Sequence, residues 1–224
     1  MQLYSPPTSS SWYWRKVCQT KDRLAEAYHQ KLWSTQVGRE YTIAKGYEWL
    51  REKGEKVQWN TLVWNKWSAP KHSFLAWIYQ HGNMNTNAKL FKLGIRDDNT
   101  CCICGCDLED LEHLFFNCNY SKEVIGLVGD RIGIRIPQMD ILRWRLSGGG
   151  TKHGKDVLNA VINACIYLIW QQRNSSRMNA CILRPSKLVD RLFQELKTRF
   201  RGANVDGTSV IRRIFDGEDS TRVG

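Results

Sequence analysis

The stretch CCICGCDLEDLEHLFFNC, residues 101–118, contains five cysteines and one histidine. Cys101, Cys104, His113 and Cys118 follow the spacing C-x2-C-x8-H-x4-C. Thiolate and imidazole are the ligands that Zn2+ prefers in closed structural sites, and a C-x2-C pair lets one tight turn offer two sulfurs to one ion. Because four protein ligands leave no open position for water, this spacing predicts a structural zinc module and disfavours zinc-dependent hydrolysis.

Two further cysteines in this stretch leave the ligand set open. Cys102 and Cys106 also bracket a loop, and either thiol could take the place of one of the four ligands. We favour Cys101 and Cys104 because the x2 spacing lets both sulfurs converge about 2.3 Å from the metal.

The composition is that of a basic globular protein. The chain has 224 residues, a formal net charge of +11 and ten tryptophans, and its pI is near 9.4. A surplus of this size favours polyanionic partners, with nucleic acid first and an anionic membrane surface second. Solvated lysine and arginine side chains with no such partner are the alternative.

The sequence contains no targeting or membrane signal. The start, MQLYSPPTSSSWYWRK, has no apolar run of the kind a secretory signal needs, and clustered cysteines without such a signal indicate metal binding in a reducing compartment. The longest apolar stretch, Val157–Trp170, is too short and too polar to span a bilayer. We therefore expect an intracellular protein of the nucleus or cytoplasm that is neither secreted nor inserted in a membrane.

The spacing of apolar residues is helical along most of the chain, which predicts a mainly α fold. Thr86 is placed to cap a helix that runs to Leu93 and stops at Gly94. Further helices are expected over Ser121–Arg131, over Lys155–Asn174, and from Pro185 onward.

These patterns divide the chain into five segments. We expect a disordered N-terminus over 1–11, a helical zinc-binding domain over 12–146, and a glycine-rich linker over 147–154. A basic helical pair over 155–201 and a flexible tail over 202–224 follow. The predicted architecture is thus a helical domain built around the Cys-Cys-His-Cys module, followed by a C-terminal helical pair.

Basic residues are densest in the C-terminal part. Between Arg173 and Arg213 the chain has ten cationic and three acidic residues, a density typical of a nucleic-acid-binding surface. Near Trp12–Lys16 and Trp59–Trp67, cations alternate with rings that could stack on bases. The alternative for the C-terminal cations is a helix face that is only solvated. The alternative for the aromatic clusters is that their tryptophans pack in the core. The candidate nucleic-acid-binding residues are Arg15, Lys16, Lys66, Lys71, Arg173, Arg177, Arg184, Lys187, Arg191 and Arg199.

Motifs typical of enzymes are absent from the sequence. It has no P-loop, no Rossmann glycine pattern and no local motif of a Ser-His-Asp triad. The acid pairs Asp97-Asp98, Glu109-Asp110 and Glu218-Asp219 do not suggest the converging carboxylates of a two-metal site. We expect no catalytic residues.

Several segments, in order, resemble the zinc-binding region that follows reverse transcriptase in plant LINE-type (non-LTR) retrotransposons. They are YTIAKGYEWL (41–50), LVWNKWSAPKHSFLAW (62–77), TNAKLFKLGI (86–95), and the C-x2-C pair with HLFFNC (113–118). SWYWRKVCQTKDRL (11–24) and ACIYLIWQQRNSSRMN (164–179) resemble the flanks of this region, so that the resemblance covers roughly residues 12–200.

This resemblance implies that Cys101, Cys104, His113 and Cys118 bind zinc, and that the protein assists RNA or DNA handling without catalysing a reaction. The alternative is a protein–protein interaction module, retroelement-derived or host-recruited, that docks through its tryptophan-rich helices. Its partner would be a reverse transcriptase or a host protein.

Overall fold

The computed structural model describes residues 6–29, 42–51, 54–55, 57–134, 136, 152–179, 181–201 and 209–216. Within these ranges it is mainly helical, which confirms the predicted fold class, and it has one isolated antiparallel bridge but no β-strand. The chain divides into two compact units, Met1–Lys56 and Val57–Gly224. None of the described helices combines the length and the apolarity that a membrane span requires.

The first unit is a pair of helices, α1 (Trp12–His29) and α2 (Ile43–Leu50). Thr42 caps α2, since its hydroxyl accepts a hydrogen bond from the Lys45 amide at 3.2 Å. Two side chains connect the helices: Arg23 donates to the Leu50 carbonyl at 2.7 Å, and Trp49 Nε1 donates to the Arg23 carbonyl at 3.1 Å.

The second unit contains the other helices and the metal-binding segment. The helices are α3 (Asn60–Val63), α4 (Pro70–Gln80), α5 (Asn87–Lys92), a π-helical turn (His113–Asn117), α6 (Asn119–Ile132), α7 (Lys152–Asn179), α8 (Pro185–Phe200) and α9 (Ser209–Asp216). Their apolar faces form one hydrophobic core that extends along the chain from Leu62 to Ile214.

Helix α7 lies at the centre of this unit, packed against α3, α4, α8 and α9. Two asparagines interrupt its apolar face, and both make hydrogen bonds to the α3 region. Asn163 Nδ2 donates to the Leu62 carbonyl and to Ser68 Oγ, both at 2.9 Å, and Asn159 Nδ2 donates to the Thr61 carbonyl at 3.2 Å. Buried amides need such partners, so these bonds fix the position of α3 on α7.

Local signals in the sequence set several helix ends. The Thr86 hydroxyl caps α5 by accepting from the Lys89 amide at 3.3 Å, and Gly94 has a φ of +66°, which confirms both predicted ends. The predictions of a helix over 121–131 and of a helix starting at Pro185 are confirmed by α6 and α8.

Other parts of the chain differ from expectation or lie outside the described residues. Helix α7 is longer than the predicted 155–174 at both ends, because residues 152–154, placed in the linker, and residues 175–179 are helical. Part of the predicted flexible tail forms α9, whose Ile214 is buried in the core. Residues 1–5 of the predicted disordered N-terminus, 147–151 of the predicted linker, and 202–208 and 217–224 of the tail lie outside the described residues.

Candidate metal centre

The first two candidate ligands lie on a short turned loop. An antiparallel bridge joins Thr100 to Leu108, and inside it the Cys101 amide donates to the Asp107 carbonyl at 2.8 Å. The Gly105 amide donates to the Cys101 carbonyl at 2.8 Å, with Gly105 at a φ of +69°. A side chain at that φ would be strained, so this glycine closes the turn that brings the Cys101 and Cys104 thiols together.

The other two candidate ligands lie at the ends of the π-helical turn His113–Asn117: His113 begins the turn and Cys118 directly follows it. The Cys118 amide donates to the His113 carbonyl at 2.6 Å, a bond from residue i+5 to residue i. In a regular α-helix, residues five apart point roughly 140° away from each other, because each residue turns the chain by about 100°. The wider turn reduces this angle, so that His113 and Cys118 both reach one point.

All four predicted ligands converge. The three sulfurs and one imidazole nitrogen of Cys101, Cys104, His113 and Cys118 lie within 4.8 Å of one another, and Cys104 Sγ lies 3.3 Å from His113 Nε2. Sulfurs bound to one tetrahedral Zn2+ at about 2.3 Å are about 3.8 Å apart. The donor set and its spacing therefore fit a zinc ion after small shifts of the side chains.

Two acidic residues contact the candidate histidine ligand. Asp107 Oδ2 lies 3.7 Å from His113 Nδ1, an electrostatic contact longer than a hydrogen bond. Asp110 Oδ1 accepts the His113 backbone amide at 2.7 Å. A carboxylate beside Nδ1 favours the tautomer in which Nε2, the nitrogen next to the thiols, is free to bind a metal.

A hydrogen bond joins the thiols of Cys101 and Cys118. The hydrogen bond to Cys118, with burial, raises the pKa of the Cys101 thiol, and the same bond lowers the pKa of Cys118. Metal binding would release the protons of these thiols, since only thiolates are ligands.

Residues 41–124 match the family model described as zinc-binding in reverse transcriptase. No curated protein and no solved structure gave a significant match to the chain. The match to this zinc-binding region contains all four converging ligands, and together they indicate a zinc-binding module.

The two extra cysteines of the matched region are not members of the four-atom cluster, although the Cys106 thiol lies beside that of Cys104. Cys102 Sγ donates to Glu109 Oε2 at 3.3 Å, and burial together with the negative charge of Glu109 raises the pKa of this thiol to about 11. Cys106 is exposed, and its Sγ donates to the Cys104 carbonyl at 3.2 Å. Among the residues that the structure describes, neither thiol joins the candidate site.

A buried ion pair connects the metal-binding segment to α7, beyond the end of the matched region. Arg173 Nη2 lies 2.6 Å and Nε 2.9 Å from Glu109 Oε1, and the two side chains are 1% and 0% exposed. Asn87 completes the network, since its backbone amide donates to Glu109 Oε1 at 2.8 Å and its side-chain Oδ1 accepts from Arg173 Nη2 at 2.8 Å. Ser176 of α7 adds a hydrogen bond to the Cys102 carbonyl at 2.7 Å.

The structure contradicts the prediction for one of the candidate nucleic-acid-binding residues. Arg173, expected on the nucleic-acid-binding face, is enclosed by Glu109, Asn87 and the Trp170 ring, and cannot contact a phosphate. The contact of Asp107 with His113 and the pairing of Glu109 with Arg173 were also not predicted from the sequence. No local pattern predicts a partner 64 positions away along the chain.

The other candidate nucleic-acid-binding residues are exposed. Arg15 and Lys16 lie on α1 in the first unit. In the second unit these residues lie on or beside α4, α7 and α8: Lys66, Lys71, Arg177, Arg184, Lys187, Arg191 and Arg199. Some are paired, since Lys71 Nζ and Arg191 Nε lie 3.0 and 3.5 Å from the carboxylate of Glu195. Their contact with nucleic acid stays a prediction.

Proposed function

We propose that the protein is a non-catalytic module in which one structural Zn2+ ion folds the segment 101–118 and exposed basic residues bind RNA or DNA. The convergence of Cys101, Cys104, His113 and Cys118 carries the zinc part of this proposal. When bound, zinc would supply a tetrahedral crosslink between the turn and the π-helical turn, with a binding energy of about 10 kcal/mol or more, much of it realised as folding energy.

Charge supports the nucleic-acid part. The formal net charge of +11 is large for a chain of 224 residues. Arg177, Arg184 and Lys187 extend into solvent around the end of α7 and the start of α8, where Asp190 lies 3.9 Å from Lys187. Phosphates bound by such a surface release condensed counterions, which provides a favourable free energy at low salt.

The absence of catalysis and the retroelement origin are also part of the proposal. Four protein ligands would leave a bound zinc no position for water, which favours a structural role. The order of motifs in 41–118 favours an origin in a plant LINE-type retrotransposon, with the module acting beside a reverse transcriptase inside the cell. An assay with labelled RNA and DNA in Mg2+ or Mn2+ tests the non-catalytic role, for which we expect no cleavage.

Binding titrations test the main proposal. Single-stranded RNA, single-stranded DNA and duplex would be titrated at 50 and 200 mM salt. We expect binding to at least one of them, weakening steeply with salt in proportion to the number of phosphate contacts. The absence of binding at 50 mM salt by protein that contains zinc would contradict the proposal.

A second candidate function is protein docking through the first unit. Trp12, Tyr13 and Trp14 at the start of α1 are 67%, 72% and 47% exposed. Adjacent exposed aromatic residues are enriched at protein interfaces. Binding through such a surface would respond little to salt, which distinguishes it from phosphate binding.

A further inference from the structure

A groove opens between the start of α4 and the end of α8 in the second unit. It has a volume of about 570 Å³, and its lining includes Trp67, Lys71, His72, Gln194, Thr198 and Arg199. This volume is within the range of small-molecule sites, which is roughly 300 to 1,000 Å³. The groove is therefore large enough to hold one nucleotide unit.

Positive charge surrounds the groove. Lys71 and Arg199 are exposed in its lining. Arg199 Nη2 donates to the Lys66 carbonyl at 3.3 Å, and the Lys66 ammonium lies over the Trp67 ring. The one acidic residue in the lining, Glu195, accepts contacts from Lys71 at 3.0 Å and from His72 at 3.2 Å. Cations exceed this single carboxylate, so the groove favours an anion.

An aromatic stripe continues from the groove along α4. Lys71, Phe74, Trp77 and His81 follow at intervals of three, three and four residues, and all four side chains are exposed. Phe74, Trp77 and His81 therefore share one face of the helix, and Lys71 lies one turn before Phe74. The rings of Phe74 and Trp77 are stacked, with centroids 5.9 Å apart and planes inclined by 24°, and His81 lies 4.8 Å from Trp77.

We propose that the groove and this stripe form one binding site for unpaired nucleotides, with phosphate held by Lys71 and Arg199 and bases stacked on Phe74 and Trp77. This inference deepens the proposed function and rests on it. Lys71 and Trp77 are about 9 Å apart along the helix axis, so that both could contact a short strand.

The combination of rings and cations favours a single strand over the other occupants. In a duplex the base faces are stacked on one another and unavailable, whereas every unpaired base offers a face to an aromatic ring. A protein partner would use the rings but would not require the cations at the groove. An unpaired strand uses both groups.

Binding of oligonucleotides to the zinc-containing protein tests this site. Single-stranded RNA and DNA of about 12 nucleotides, and the matching duplex, would be titrated by fluorescence anisotropy. Phe74→Ala and Trp77→Ala are compared with Phe91→Ala, which removes an exposed ring of α5. Lys71→Gln and Arg199→Gln are compared with Lys92→Gln, which removes an exposed cation of α5.

We expect single strands to bind more tightly than duplex. Removal of either ring should weaken single-strand binding by roughly 5- to 150-fold and leave duplex binding unchanged, which corresponds to about 1–3 kcal/mol for each stacked base. Lys71→Gln and Arg199→Gln should each make the negative slope of log K against log salt shallower by about 0.7. The two control variants should bind single strands with affinities closer to that of the unaltered protein.

Other outcomes would overturn the inference and identify what failed. If nucleic acid binds but the groove variants behave like their controls, the groove is not the site, although the proposed function stands. If no nucleic acid binds, both fail. If Phe74→Ala and Trp77→Ala abolish self-association in sedimentation and leave nucleic-acid binding unchanged, the stripe is a protein-docking face.

Discussion

Arg173 and Glu109 form a fully buried ion pair that joins the loop of the metal-binding segment to the C-terminal half of α7, with Nη2 and Oε1 2.6 Å apart. Burial of two charges is costly in free energy unless their hydrogen bonds are satisfied, and here Asn87 contacts both members. The pair therefore links the zinc-binding segment to the core.

Arg173→Met should destabilise the second unit strongly. It leaves the Glu109 carboxylate buried without a counter-charge, so we expect the free energy of unfolding, measured in urea with zinc present, to fall by about 3–5 kcal/mol. Arg177→Met, which replaces an exposed arginine of the same helix, is the control. It should change the free energy of unfolding by no more than about 0.5 kcal/mol.

Pairing Arg173→Met with Glu109→Gln should recover part of this loss. The double variant removes the uncompensated charge, and the glutamine oxygen can still accept from the Asn87 amide. A double variant no more stable than Arg173→Met alone would show that packing, rather than charge, dominates at this position.

The ligand assignment predicts different zinc contents for two classes of cysteine variant. Cys104→Ser and Cys118→Ser should lose metal and melt at lower temperature, because each removes a thiolate from the cluster. Cys106→Ser, whose exposed thiol lies outside the cluster, should retain one zinc ion per chain by elemental analysis. Equal zinc loss in all three variants would contradict the assignment.

Asp107→Asn should weaken zinc binding without abolishing it. Its carboxylate faces Nδ1 of His113 at 3.7 Å, and removal of such an orienting group usually costs 10- to 100-fold in metal affinity. Competition with a chelator of known affinity measures this change. Glu112→Gln alters the same charge at an exposed position of the segment and should bind zinc like the unaltered protein.

His72 should make stability dependent on pH. Burial lowers the pKa of His72 below its ordinary value of 6.5, against the raising effect of Glu195 and with Lys71 and Arg199 adding to the decrease. Between the two pKa values the unfolded chain binds more protons than the folded chain, so this contribution is complete above pH 6.5 and is lost as the pH falls below it.

The comparison of His72→Gln with the unaltered protein isolates this contribution. Urea unfolding at pH 7.5, 6.5 and 5.5 should show the variant losing less stability on acidification, since acid effects on the zinc ligands are common to both proteins. His81→Gln, at an exposed position, is the control and should follow the unaltered protein. Parallel profiles for His72→Gln and the unaltered protein would exclude His72 as the source.

The sequence predicts features that depend on neighbours along the chain. Thr86 and Gly94 define α5 because a cap and a left-handed stop act within one helical turn, and the spacing of Cys101, Cys104, His113 and Cys118 predicts their convergence. The sequence does not predict the burial of Arg173, because its partners Glu109 and Asn87 are brought to it only by the packing of α7.

The π-helical turn was also beyond prediction. HLFFN has ordinary helical spacing, and the extra residue in its turn is recognisable only from the bond between the Cys118 amide and the His113 carbonyl. Similarly, the helix Ser209–Asp216 lies in a stretch that composition alone predicts to be flexible, and burial of Ile214 in the core supplies the stabilisation.

The zinc K-edge X-ray absorption spectrum of the purified protein shows whether the four residues bind one zinc ion together. We expect one zinc per chain with three sulfur neighbours at about 2.3 Å and one nitrogen neighbour at about 2.0–2.1 Å. A protein purified without zinc, or a spectrum dominated by oxygen neighbours, would contradict it.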